Sequence, residues 1–283
     1  MKIWLIFIII FGVLKGLREP IKKKVLENVN VFTSLFLYTF IGFLMTLPTA
    51  KGVFDLTPYV SFLVVLKSGV IFFAWMLTFF AIKKVPLGIY GITDMSRVIF
   101  SSLMGVWFLG EGLTLRGIIS LILVAAGLYF VNKKQSDSTN TYSYKYTWMI
   151  MLSCLLNAVS GTLDKIIMST GDITSSALQF WFMLLLSAFY LAYIIIRKED
   201  FEIKKAIKNP WIYVLSLLLI LGDRALFIAN SDPESKVTVM TLIKQCSAVV
   251  TIIMGRILYK EKNTIKNLLC AGLIIGGIAL ACI

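Results

Sequence analysis

The strongest constraint on this chain is that it repeats itself. Residues 85–131, VPLGIYGITDMSRVIFSSLMGVWFLGEGLTLRGIISLILVAAGLYFV, read as two apolar segments joined by a polar turn at Gly110, Glu111 and Gly112. Residues 235–281 match them at an offset of 150 with no gap. Gly105 falls on Gly255, Glu111 on Glu261, Thr114 on Thr264 and Gly127 on Gly277. A repeat of this length implies two copies of one structural unit. In an apolar chain, duplicated units point to a secondary transporter.

The chain is apolar enough for that reading. It is 58% hydrophobic, with a mean hydropathy of +0.86. A bilayer core needs about 20 apolar residues per helix. Ten segments qualify: 3–17, 30–48, 58–80, 86–109, 113–132, 146–168, 173–196, 210–230, 235–258 and 264–282. Their apolar runs are continuous rather than alternating, which predicts an all-α polytopic membrane protein and not a β-barrel. The first run is short, but no small-x-small cleavage site precedes its charged flank. It therefore reads as a spanning helix and not as a signal peptide. Five segments fall in each copy, giving a first repeat at 1–132, a polar linker at 133–145 and a second repeat at 146–283. An odd number of spans inverts the second copy relative to the first.

The net charge of +13 is distributed by loop rather than gathered into a nucleic-acid surface. Arg18, Lys22, Lys23 and Lys24 follow segment 1, Lys83 and Lys84 follow segment 3, and Lys133, Lys134 and Lys145 follow segment 5. Arg197, Lys198, Lys204, Lys205 and Lys208 follow segment 7, and Lys260, Lys262 and Lys266 follow segment 9. The other loops and the termini hold Lys2, Lys51, Arg116 and Lys236. The positive-inside rule makes the first set cytoplasmic and turns both termini outward. Cys154, Cys246, Cys270 and Cys282 lie inside apolar runs and read as small hydrophobic residues. There is no histidine, no clustered carboxylate motif and no nucleotide loop, so neither enzyme activity nor a cofactor nor a metal is expected.

The pattern resembles the ten-helix drug/metabolite transporter superfamily, EamA branch. The residues that carry the resemblance are Phe108 to Thr114 with Gly127, and their echo Tyr259 to Thr264 with Gly276 and Gly277. The approach to segment 4 at 81–86 fits as well. The resemblance covers essentially the whole chain and implies an alternating-access carrier. It implies a cavity lined by segments 1, 3, 4, 6, 8 and 9, with 5 and 10 peripheral. Members export amino acids and drugs or move nucleotide sugars, sugar phosphates and choline. The family usually has both termini in the cytoplasm, whereas the charges here turn them outward.

Ionisable side chains inside apolar segments cost several kcal/mol, so each is a site candidate. Lys67, Asp94, Arg97, Asp223, Arg224 and Lys244 sit deep, and Asp164 and Lys165 lie nearer a helix end, within reach of the interface. Tyr90, Asp94, Arg97 and Ser101 are spaced to share one helical face. The offset of 150 pairs Asp94 with Lys244, with Gln245 beside it, and opposite charges at equivalent depth suggest an ion pair across the pseudo-twofold axis. Lys67 reads as a counter-ion for Asp94 or Asp223. Asp223 and Arg224 are adjacent and diverge by about 100°, so each needs another partner.

Five of these eight charges are cationic, which favours an anionic or zwitterionic substrate. Lys67, Tyr90, Arg97, Arg224, Lys244 and Gln245 are the substrate-binding candidates, Arg224 and Lys244 foremost. Asp94, Asp164, Lys165 and Asp223 are the coupling or gating candidates. Glu111 and Glu261 read as turn and helix-initiating residues on opposite faces. Trp75, Phe79, Phe80, Tyr90 and Trp181 read as facing lipid or core. The chain is expected to act in the cell membrane, as a monomer or homodimer, on a small molecule. A flippase for a lipid-linked sugar or phosphate and an organic-cation exporter remain as alternatives.

Overall fold

A computed structural model describes residues 3–50, 52–110, 112 and 144–261, with scattered positions within 115–126 and 265–276. In the first repeat, α1 is Ile3–Leu26, α2 is Val31–Thr46 with a 3-10 turn at Leu47–Thr49, and α3 is Pro58–Lys84. Two shorter helices follow, α4 at Leu87–Asp94 and α5 at Arg97–Leu109. In the second repeat, α6 is Tyr144–Ser169, α7 is Ser175–Arg197, α8 is Ile203–Ile207 and α9 is Pro210–Ser231. There, too, two shorter helices follow, α10 at Val237–Lys244 and α11 at Cys246–Tyr259. The described positions within 115–126 and 265–276 are helical, and no strand occurs among the described residues. The linker expected at 133–145 lies outside the described residues up to 143. Five helices, α2 (with its 3-10 turn), α3, α6, α7 and α9, are long and apolar enough to cross a membrane.

Local sequence sets these boundaries. Asn30, Thr57 and Thr174 each accept a backbone N–H from the first turn of the following helix, at 2.8, 3.4 and 3.2 Å. Pro58 and Pro210 occupy first helical positions, where a missing N–H costs least.

Two features depart from the sequence reading. The first is α1, which continues nine residues past position 17 and through Pro20. Proline deprives the Gly16 carbonyl of its usual donor. Thr251 Oγ1 lies 3.2 Å from that carbonyl and supplies a substitute across the repeats. The continuation carries Arg18, Glu19 and Lys22 into the interior, where they are buried with Lys15. They are not loop charges.

The second departure is that segments 4 and 9 are each broken in the middle. The first half-helix ends at Asp94 in one repeat and at Lys244 in the other, so the breaks share the offset of 150. Met95, Ser96, Val98 and Ile99 each donate to the carbonyl three residues back, at 3.0–3.1 Å. Ala248 does the same to Gln245 at 2.9 Å. This tightening winds the chain locally as a 3-10 helix and redirects the next half.

Packing respects the duplication. α1 lies against α9 and α11, and α6 lies in the equivalent way against α3 and α5. α4 meets α11, α10 meets α5, and α2 meets its counterpart α7. The ends of α1, α3, α7 and α11 gather on one face with Lys23, Lys24, Lys83, Lys84, Arg197 and Lys260. We call it the basic face, and the other the sparse face.

Candidate functional site

The interior charges meet around a cavity between the repeats. It is lined by Arg18 of α1, Lys67, Ile71 and Trp75 of α3, Arg97 and Ser101 of α5, and Asn157, Ser160, Gly161 and Asp164 of α6. Phe182 of α7, Asp223 and Phe227 of α9, and Lys244 of α10 complete the ring with Phe11, Leu226 and Val237. The space open to the centres of water-sized molecules is about 70 Å³, room for only a few waters. Its own charges fill most of the cavity.

Lys67 lies at the bottom of this ring with 1% of its side chain exposed. It forms an ion pair with Asp164, and its ammonium sits 3.8 Å from the Phe182 ring centroid and 4.3 Å from that of Phe227. Two aromatic faces and a carboxylate replace its hydration shell. Asp164 is therefore an interior partner and does not reach the interface. Its neighbour Lys165 turns away and donates to the carbonyls of Asn230 and Asp232 at 3.2 and 2.8 Å and to Ser235 Oγ at 2.7 Å. Lys165 ties the end of α9 to the start of α10.

Asp94 does not pair with Lys244. It is held by Lys15 of α1 and, at 2.9 Å, by Arg97 across the helix break. The Cys154 thiol adds a contact at 3.5 Å to the same carboxylate. The repeat offset fixes equivalent depth, and α1 and its lysine stand at that depth too. Asp223 is held by Arg18 at 3.5 Å, long for a charge-assisted bond. Lys67 thus serves neither Asp94 nor Asp223 as a direct counter-ion.

Lys244 differs from these. Among the described residues it makes no ion pair, and its ammonium lies 5.6 Å from the Phe11 ring centroid. The Nε atoms of Arg18 and Arg97 are likewise buried without a hydrogen-bond acceptor. All three side chains face the same cavity.

Five sequence candidates do not line the cavity: Asp94 and Lys165, described above, and Arg224, Tyr90 and Gln245. Arg224 donates to Gln179 Oε1 at 2.7 Å and to Thr49 Oγ1 at 2.9 Å, near the sparse face. With Asp223 facing the cavity, the adjacent residue points elsewhere by helical geometry. Tyr90 is 2% exposed and belongs to the apolar core, because the break after Asp94 separates its face from that of Arg97 and Ser101. Gln245 is buried at the second break and does not line the cavity. Conversely, Arg18 and Trp75 do line it. Lys15, Arg18, Glu19 and Lys22 are spaced three, one and three, a one-face pattern that carries the helical signal past position 17.

The comparisons with known proteins agree with this architecture. The model of the EamA-like transporter family matches residues 2–133 and again 145–283. The chain belongs to the EamA-like transporter family. No curated protein matches it. Among solved structures, a chain described only as "Crystal structure of protein" covers 97% of this one and 94% of itself, with a TM-score of 0.73 at 15% identity. That likeness concerns the fold. As an EamA-like chain with apolar spans, the protein is an integral membrane protein of a transporter family. Among the described residues no group of side chains is arranged to hold a metal ion.

Proposed function

We propose that this EamA-like protein is a secondary, alternating-access transporter of the cell membrane for a small anionic or zwitterionic metabolite. The observation that carries the reading is a set of donors without protein acceptors around one cavity: the buried Nε atoms of Arg18 and Arg97, and the ammonium of half-buried Lys244. A buried donor left unpaired costs about 1–3 kcal/mol, more when charged, and a carboxylate or phosphate would satisfy all three. Trp75 would take the apolar part of the ligand, while Lys67 already occupies the faces of Phe182 and Phe227 and so denies them to an organic cation.

Binding would also act on Asp223, which shares Arg18 with the incoming anion. A substrate drawing Arg18 away releases Asp223 to take a proton, which links occupancy to protonation. The broken helices and the paired packing of the two repeats support a rocking exchange around this cavity.

Thermal shift of the detergent-solubilised protein tests the reading. A ligand at a hundredfold excess over its Kd stabilises the folded state by about 2.7 kcal/mol. Amino acids, sugar phosphates and nucleotide sugars form the anionic and zwitterionic arm, and amines form the cationic arm. Stabilisation by a member of the first arm should vanish in Lys244→Ala, persist in part in Lys244→Arg and be unaffected in Arg224→Ala. Stabilisation by amines alone would overturn the anionic reading and shift the site toward Asp223 and Asp164.

A further inference from the structure

The glutamate of the repeated Gly-x5-Glu motif has no place in the cavity, yet it makes the most directed contact between the two repeats. Glu261 stands just beyond α11. The N–H groups of Leu87 and Gly88, at the start of α4, donate to its Oε1 at 2.6 Å and its Oε2 at 2.9 Å. These are orphan donors of a helix N-terminus, and a carboxylate there also meets the positive end of the helix dipole. The sequence reading placed Glu261 at the start of its own next segment, whose first residues lie outside the described ones; its carboxylate also caps the opposite repeat. Glu111, its counterpart by the offset, lies outside the described residues.

The approach is built into the sequence by glycines on both sides. A Cβ on Gly255 would stand 3.0 Å from Glu261 Oε2 and 3.1 Å from Leu87 Cβ. One on Gly88 would stand 2.3 Å from Asn267 Nδ2. α1 joins the same clasp, because Lys23 Nζ donates to the Val85 carbonyl at 2.8 Å and Tyr259 Oη to the Pro20 carbonyl at 3.3 Å.

Position gives the clasp its meaning. Past the cavity-lining Arg18 and Trp75, α1 and α3 run toward the clasp through a plug of buried side chains, Leu26 on α1 and Phe79 and Ile82 on α3, with Val85 and Leu87 at the clasp itself. The Glu19–Lys22 ion pair, at 2.7 Å, completes the plug. Toward the sparse face, by contrast, the cavity lining runs to Val237, the first residue of α10. The cavity is therefore shut more deeply on the basic face. α4 is only eight residues long and is separated from α5 by the break, so it can tilt as a unit once its first turn is released.

We infer that Glu261 is the latch of the basic-face gate: its carboxylate holds the first turn of α4 against α11, and its release opens the cavity toward that face. The inference rests on the transporter reading of the cavity but not on the identity of any substrate. Charge and geometry make the latch all-or-none, since rotation of one carboxylate frees both donors together.

Accessibility of a thiol placed in the cavity tests this. Ser160→Cys, in a chain with Cys154, Cys246, Cys270 and Cys282 changed to Ala, is reconstituted in sealed vesicles. A membrane-impermeant maleimide is added from outside, and a parallel Lys204→Cys chain reports which vesicles expose the basic face. In Glu261→Ala, labelling of Ser160→Cys from the basic face should rise about tenfold, as a modest shift toward the open population requires. Glu261→Gln should give a smaller rise. Gly255→Ala, whose Cβ would stand 3.0 Å from Glu261 Oε2 and 3.1 Å from Leu87 Cβ, crowds the same contact and should shift labelling in the direction of Glu261→Ala. If Glu261→Ala does not yield monodisperse protein, Glu261→Gln and Gly255→Ala decide. Unchanged labelling from the basic face in the well-folded variants would overturn the latch and leave Glu261 a static cap. A failed anion screen beside a positive labelling result would overturn the substrate reading alone.

Discussion

At the level of single residues, the interior of this protein is a set of matched charges with a cationic surplus. Lys67 and Asp164 are its most deeply buried pair. Lys67→Ala should destabilise the protein by about 3–5 kcal/mol, because it leaves Asp164 charged and alone in the core. Lys67→Met with Asp164→Leu should recover most of that loss. Denaturant unfolding in detergent measures both, and equal destabilisation by the single and double variants would contradict the pairing. The residue types of these charges were legible in the sequence, since an ionisable side chain in an apolar run advertises itself, but their depths only in part, for Asp164 is interior and Arg224 sits near the sparse face. Their partners were not. The repeat offset located Asp94 and Lys244 as equivalents, but equivalence under a twofold axis does not imply contact, and Lys15 and Arg97 reach Asp94 first. Arg18 was missed because four charges within eight residues read as a loop. They sit instead on one face of a helix that passes through proline.

At the level of elements, the contact of α1 with α11 is a close approach between the repeats. Gly12 and Gly16 make it possible, and they differ in what surrounds them. A Cβ on Gly12 would stand 2.3 Å from Cys246 Sγ, the end of a side chain that can rotate away. A Cβ on Gly16 would stand 2.7 Å from the Ser247 carbonyl and 2.5 Å from Val250 Cβ, neither of which can yield without moving α11. Gly16→Ala should therefore cost about 1–3 kcal/mol, the usual range for overpacking, and lower the melting temperature clearly. Gly12→Ala should cost much less, and the reverse order would refute the packing argument. The helix breaks at Asp94 and Lys244 had no signal in the sequence, because neither proline nor glycine marks them. Short-range hydrogen bonds and the pull of buried partners on Asp94 accomplish what a breaker residue would announce.

At the level of the whole molecule, the duplicated architecture keeps two features apart: the buried charges around the cavity between the repeats, and the Glu261 clasp at one face. Orientation follows from the loops. Lys83, Lys84, Arg197, Lys198, Lys204, Lys205, Lys208 and Lys260 mark the basic face, and removing Arg18 and Lys22 from the loop count leaves the bias intact. Lys204→Cys should escape an impermeant thiol reagent in intact cells, whereas Asp172→Cys, exposed at the opposite face, should react; the opposite pattern would invert the topology. The buried charges of α1 carry a further consequence for how the protein is made. Arg18 is separated from its partner Asp223 by 205 residues, and Lys15 from Asp94 by 79. At roughly 5–20 residues per second of synthesis, the wait for Asp223 is on the order of 10–40 s. During that interval α1 carries Arg18 without its partner, and for the first part of it Lys15 as well, with only Lys22 neutralised by Glu19 in the same helix, which leaves it too polar to settle stably across lipid by itself. Its commitment to the membrane must then be completed after translation of α9, which makes the nascent chain dependent on an insertase or on delayed docking rather than on strictly sequential release.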